Sequence, residues 1–402
     1  MSSPLARHWT LDPEVTFLNH GSFGACPRVV LEAQQRIREE IEREPVRFFV
    51  RELPGRLDGA RQALARFVGA DPECLAPVPN ATSGVNAVLR SLEFGPEDEL
   101  VVTDHAYEAC RNALDYVARR FGATVVVVPV PFPGSTPEKI EDAILAGVSP
   151  RTRLALIDHV TSPTGMVLSI KRLVRRLSEI GVDTLVDGAH APGMVPLDLT
   201  ELGSAYYTGN CHKWLCAPKG AAFLYVREDR REDVRPLTIS HGATTRRLGR
   251  SRFHDEFDWI GTGDPSAFLC VPESIAFLGS LLPGGWPEVM ERNRALALAA
   301  REKIRAALGV AAPCPDSMIA SLAVLPLPDG SPDHRAPTTT FSALDPLQDL
   351  LWERHRIEVP IVPWPARPKR LVRISAQLYN SAEQYGRLAE TLRRALGRAQ
   401  RG

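Results

Sequence analysis

From about residue 85 onward, two kinds of apolar spacing alternate along the chain. Short runs dense in Val, Leu and Ile ("ELVVT", "ATVVVVPV", "RLALIDHV", "VDTLVDGAH", "SAYYTGN", "GAAFLYV") are separated by stretches with helical spacing, at residues 85–91, 106–120, 137–146 and in "IKRLVRRLSEIG". Runs that do not alternate strictly between apolar and polar are buried on both faces, as in a parallel sheet covered by helices on each side. The pattern predicts an α/β domain, residues 29–270, built on a mostly parallel sheet and preceded by helices at 29–43 and 57–68. Past "DWIGTGDP" it changes to a long helix at 287–308, a Pro-rich segment at 311–337 and a helix near 383–398, which predict a smaller C-terminal α+β domain, residues 271–402. Residues 1–28 are expected to form a segment near the active site that packs across both.

In sheets of this kind ligands gather outside the carboxyl ends of the strands. The candidates for chemistry are therefore the polar residues directly after the runs: Asp104 and His105, His159 to Ser162, Asp187 to His190, and Asn210 to Lys213. Lys213 stands out by composition. The chain has six lysines against forty-two arginines, so where charge alone is wanted it uses arginine. An amine can lose its proton and attack a carbonyl, which a guanidinium does not. Trp214, Leu215 and the preceding tyrosines make a poor solvent face for a snorkelling lysine. Lys219, in the turn "APKG", is the weaker candidate.

Forty-eight basic residues balance forty-eight acidic ones over 402 positions, which gives no electrostatic reason to expect nucleic acid or a membrane surface as partner. A small-molecule substrate is favoured. The opening "MSSPLARHWTLDPEV" has no apolar h-region, and no stretch reaches the eighteen or so apolar residues of a span, so a soluble, cytoplasmic protein is expected. Seven scattered cysteines resemble neither a disulfide framework nor a metal site; they are expected to be buried thiols. No G-x-G-x-x-G follows the first strand, which disfavours a nicotinamide-dependent dehydrogenase.

"VDGAHAPG", followed some two dozen residues later by "GNCHKWLCAPKGAAFLYV", resembles the class V aminotransferase family of pyridoxal-phosphate enzymes. "LNHGSFG", "NATSGVN", "DHAYEAC", "FDWIGTGD" and "VRISAQLYNS" resemble, in order, segments of its isopenicillin-N epimerase-like branch, over nearly the whole chain. The resemblance implies fold type I and pyridoxal 5'-phosphate as cofactor. Lys213 would carry the cofactor as a Schiff base, with burial lowering its pKa. Asp187 would pair with the pyridine nitrogen and keep it protonated. His190 would touch the ring or its phenolic oxygen, and Ser162 stands where related enzymes often use asparagine for that oxygen. The helix opening at "NATSG" exposes backbone N–H groups suited to phosphate. Thr82 and Ser83 would bind there with His212 and Asn210, although similar cysteine desulfurases usually carry serine at the position of Asn210. Thr262 corresponds to a threonine that reaches the phosphate of the neighbouring subunit, which implies a homodimer with shared sites. His105 or Tyr107 would stack on the ring, with Tyr107 alternatively delivering a proton. Arg373 would hold the substrate carboxylate by two parallel hydrogen bonds. Asn19 and His20 lie in a segment that resembles one closing over the substrate.

A cysteine desulfurase needs a mobile cysteine shortly before the carboxylate-binding arginine, and "RIEVPIVPWPARPKRLVR" has none. An epimerase-like activity is the first expectation, with Lys213 serving one face of Cα and Tyr107 or His20 the other. A C–S β-lyase acting on a cysteine conjugate or sulfoxide follows closely, and an aminotransferase is third. A non-catalytic cofactor binder would be expected to have lost one of Lys213, Asp187, His212 and Arg373. Arg246, Arg247, Arg250 and Arg252 either line the path of an acidic substrate or belong to an exposed loop.

Overall fold

The computed structural model describes residues 2–330 and 344–399; positions 331–337, the end of the Pro-rich segment, fall outside them. Twelve strands follow in chain order among the described residues: β1 (Thr16–Phe17), β2 (Leu75–Val78), β3 (Glu99–Thr103), β4 (Thr124–Val128), β5 (Thr152–Asp158), β6 (Asp183–Asp187), β7 (Tyr206–Asn210), β8 (Ala222–Val226), β9 (Leu322–Leu327), β10 (Ile357–Glu358), β11 (Ile361–Pro363) and β12 (Arg370–Ser375). The six apolar runs of the sequence are β3 to β8. With β2 they form one sheet in the order β2–β8–β7–β6–β5–β3–β4. Strands β3 to β7 run parallel, and β8 is antiparallel to both of its neighbours.

Successive residues in these strands face opposite sides, and both sides are buried. Leu100, Val102, Leu154, Leu156 and Leu185 pack into one apolar cluster, while Val101, Ala155, Ile157 and Val186 pack into another. That is why the runs read as continuous rather than alternating. β2 has no counterpart in the pattern. It is four residues long, contains Pro77 and among the described residues pairs only with β8, and an edge strand tolerates proline because its outer N–H groups need no partner.

β9, β11 and β12 form an antiparallel sheet in the order β11–β12–β9. β9 lies inside the Pro-rich segment. It forms because β12 pairs with it from Arg370↔Leu327 to Ser375↔Leu322, and no local pattern announces that pairing. The N-terminal segment reaches both sheets. β1 pairs in parallel with β10, the Ser375 N–H donates to the Leu18 carbonyl (2.9 Å), and His20 then contacts the turn after β7. A single apolar cluster runs from Leu18 to Leu396 and joins the two sheets. No single helix among the described residues is long and apolar enough to cross a membrane.

The helix Ala81–Ser91 lies close on β7 because residue 84 is glycine: a Cβ there would sit 2.9 Å from the Thr208 Cβ and overlap its Oγ1. The Thr208 hydroxyl donates to the Phe223 carbonyl (2.9 Å) and is not free to turn aside. Gly84→Ala should therefore lose about 1–3 kcal/mol of stability in urea unfolding, despite the better helix propensity of alanine. Unchanged or raised stability would show that the helix can back away.

Candidate active site

Lys213 stands in the turn that joins β7 to β8, and this turn is gripped from two sides. A Cβ on Gly24 would overlap the His212 carbonyl, and one on Gly193 would sit 2.7 Å from the Trp214 carbonyl carbon. The turn itself is tight, with the Cys216 N–H donating to the Lys213 carbonyl (2.9 Å) and Cys216 in the left-handed region at φ 57°. A non-glycine residue rarely adopts that conformation, and here the packing enforces it. Lys213 Nζ lies 3.1 Å from His190 Nε2. Burial, assisted by the charge of Arg373 and opposed by that of Asp187, brings its pKa down to about 8. Roughly a tenth of the amine is then neutral at pH 7, far more than for a solvated lysine.

Asp187 ends β6. Its Oδ1 accepts from the Ala189 N–H (3.0 Å), and its Oδ2 accepts from the Cys110 thiol (3.1 Å). Asp158 ends β5 directly alongside, and burial followed by the charge of Asp187 pushes its pKa well above the carboxylate range. Cys110 and Asp158 have no signal in the sequence that marks them out: one lies in a helix, the other inside an apolar run.

The helix at Ala81 is capped by Asn80, whose Oδ1 accepts from the N–H (2.8 Å) and the hydroxyl (3.1 Å) of Ser83. The Ala81 N–H donates to Asn210 Oδ1 (2.8 Å), which ties β7 to the helix. Among the described residues the N–H and hydroxyl of Thr82 carry no hydrogen bond, so the helix end keeps a free donor pair. Such an end attracts an anion. His212 Nδ1 donates to the Ala221 carbonyl (2.9 Å), and burial holds its pKa down to about 4.

Arg373, on β12, is 7 % exposed and forms no ion pair among the described residues. Its Nη1 donates to the carbonyl (2.6 Å) and hydroxyl (3.3 Å) of Ser162, and its Nη2 donates to Ser22 Oγ (3.0 Å). Nε is buried without a partner among the described residues, and burial lowers the pKa to about 10. Ser22 donates in turn to Asn19 Oδ1 (2.6 Å), whose Nδ2 donates to Glu358 (2.9 Å). Asn19 therefore bears on the arginine through Ser22, which the sequence did not single out.

His105 and Tyr107 part company. His105 is buried, with Nδ1 bonded to Thr164 Oγ1 (2.9 Å) and its ring 4.2 Å from Trp364. Tyr107 precedes the helix Glu108–Phe121 and is 41 % exposed; burial, then Cys110 and Asp187, raises the pKa of its phenol, while Arg373 lowers it. Tyr107 thus shares the field of Asp187 and Arg373. His20 is engaged at both ring nitrogens, with the Tyr379 hydroxyl (2.8 Å) and the Lys213 carbonyl (3.0 Å), so it braces the lysine turn from behind. Thr262 is exposed and bonds to none of the other candidates. The arginine-rich loop is occupied structurally: Arg250 pairs with Asp58 (2.9 Å) and Asp258 (2.5 Å), and Arg252 with Glu256 (2.6 Å). All seven cysteines are buried and free.

A half-buried amine of lowered pKa, a carboxylate at a strand end and a helix end with free donors suit pyridoxal phosphate by the chemistry of the donor set. Residues 25–324 match the model of the class V aminotransferase family, and the chain belongs to that family, whose cofactor is pyridoxal phosphate. Among its relatives, isopenicillin N epimerase of Streptomyces clavuligerus is 36 % identical over 392 residues, covering 95 % of each chain. L-cysteine desulfhydrase of Arabidopsis thaliana is 30 % identical over 421 residues, covering 98 % of this chain and 89 % of that one. The fold is similar to that of the cystine C–S lyase C-DES, solved in complex with its reaction product cysteine persulfide, at a TM-score of 0.76 and 22 % identity over 95 % of this chain and 98 % of that one.

Arg373→Met should unfold in urea within about 1 kcal/mol of the parent, since it removes an uncompensated buried charge. It should weaken binding of a small carboxylate ligand, read by calorimetry, about 100-fold, roughly the 3 kcal/mol of a charge-assisted pair. Unaltered carboxylate affinity would move the anion site elsewhere.

Proposed function

We propose that this chain is a pyridoxal-phosphate enzyme that moves a proton at Cα of an amino acid, as an epimerase of the isopenicillin N epimerase kind. The observation that carries the reading is Arg373, a buried guanidinium that has only neutral acceptors among the described residues and lies within the field of Lys213. A substrate α-carboxylate supplies the charge it lacks. Lys213 would hold the cofactor and Asp187 would face its pyridine nitrogen. Thr82, Ser83, Asn210 and His212 would receive its phosphate, and His190 and Ser162 its phenolic oxygen. Bound pyridoxal phosphate serves as an electron sink that acidifies the Cα–H bond.

The side chains divide the remaining work. Lys213, neutral above about pH 8, takes the proton from one face of Cα. Tyr107 keeps its own proton because its pKa is raised, and it serves as the donor on the opposite face. Ser22 and Ser162 aim the guanidinium, and Asn19 holds Ser22. A second reading, a C–S β-lyase on a cysteine conjugate, has support from the identity with L-cysteine desulfhydrase. It uses the same base, with Tyr107 protonating the leaving sulfur. We also read the protein as a homodimer: Thr262, exposed in its own chain, would complete the phosphate site of a second copy.

In deuterated water, Tyr107→Phe should keep Cα exchange of an L-amino-acid substrate and slow its inversion at least ten-fold, whereas Lys213→Ala should lose both. Sulfide released from cysteine conjugates without inversion would favour the lyase, and absence of any exchange in the intact protein would defeat both readings. The dimer is checked by mixing Lys213→Ala with Thr262→Ala chains. Isolated heterodimers should recover about one working site in two, and a failure to recover would leave Thr262 serving its own chain.

A further inference from the structure

Three side chains stand in series from the interior to the lysine. The indole Nε1–H of Trp214 donates to His190 Nδ1 (3.3 Å), and His190 Nε2 lies 3.1 Å from Lys213 Nζ. An indole N–H only donates, so Nδ1 must carry the lone pair of the imidazole. His190 is 2 % exposed, and burial, followed by the charges of Lys213, Arg373 and His20, keeps its pKa well below the usual histidine value. The single proton of the neutral ring then sits on Nε2 and points at the amine. An ammonium at Lys213 would set N–H against N–H across that contact.

We propose that Trp214 is a positioning residue that fixes His190 as the Nε2–H tautomer, making it a hydrogen-bond donor to Lys213 and holding that amine in its neutral, proton-accepting form. The indole cannot turn away. It is 1 % exposed, the His20 ring lies 4.9 Å from it, and Gly193 closes on its backbone. His20 is itself pinned by Tyr379 and by the Lys213 carbonyl, so the support for the tautomer closes on the lysine turn. The other groups acting on Lys213 are Asp187, which favours the ammonium, Arg373, which opposes it, and the Cys110 thiol. None of these depends on the orientation of the imidazole proton, so the polarity of His190 is the separable contribution.

Full-length protein labelled with 15N at histidine, with its cofactor and again after the cofactor is removed so that the Lys213 amine is free, gives the tautomer directly by NMR, with His190→Gln identifying the signal. The expected state at pH 7 is Nε2–H; an Nδ1–H ring or an imidazolium overturns the proposal. In Trp214→Phe the ring should become a mixture of tautomers. After removal of the cofactor, the pH midpoint for pyridoxal-phosphate uptake should rise by one unit or more from about 8, a ten-fold slower uptake at pH 7. An unmoved midpoint in a folded variant also overturns it, and if the variant does not fold, the tautomer of the parent decides alone. Only the uptake measurement rests on Lys213 as the cofactor-bearing amine. Borohydride labelling that falls elsewhere would defeat that assignment and leave the tautomer result standing.

Discussion

Two basic side chains, Lys213 and Arg373, lie below the surface without an ion pair among the described residues, and the surroundings are organised to tolerate them. Leaving a buried cation without a carboxylate costs several kcal/mol. The chain meets this cost differently in each case. Arg373 keeps its charge and is given neutral acceptors, the carbonyl and hydroxyl of Ser162 and the hydroxyl of Ser22. Lys213 surrenders part of its charge, because burial brings its pKa down to about 8, and its amine rests against His190. In the function we propose, stability is given up at both places in return for a carboxylate receptor and a reactive amine.

The rest of the fold keeps these two groups in register. Parallel strands bring Asp158, Asp187 and Asn210 to one edge of the main sheet, where backbone pairing fixes their relative heights. The lysine turn follows directly and is pressed by Gly24 and Gly193. Arg373 comes from the other sheet, so its distance from Lys213 depends on how the two sheets meet. Residues 16–24 set that meeting: β1 pairs with β10, Ser22 bonds Arg373, and His20 bonds the Lys213 carbonyl. A short N-terminal stretch thus couples Arg373 to the Lys213 turn.

The same framework belongs to relatives named for different outcomes, an epimerase and a cysteine desulfhydrase. This is expected where the cofactor supplies the hard chemistry and the protein supplies orientation and protons. In the reading we propose, the outcome turns on the second proton donor, a role given to Tyr107, which shares the field of Asp187 and Arg373. His105 packs against Trp364 and Phe132.

The sequence by itself determined the main sheet and the residues at its edge. Strands buried on both faces leave continuous apolar runs, and ligand-binding residues follow them at once, so β3 to β8 and the positions of Asp187, Asn210 and Lys213 were local properties of the chain. The family motifs added Arg373, which no spacing could connect to residues a hundred and sixty positions earlier. The tertiary structure alone decided the partners. β2, β9 and the short strands β1 and β10 exist because distant segments pair with them, and their own residues carry too weak a pattern to be read. It also decided that His20 braces a backbone carbonyl and that Cys110, Ser22 and Trp214 touch the groups that matter. The physical reason is the same throughout: periodicity records which face of an element is buried, whereas a hydrogen bond between side chains depends on where two elements far apart in sequence come to rest.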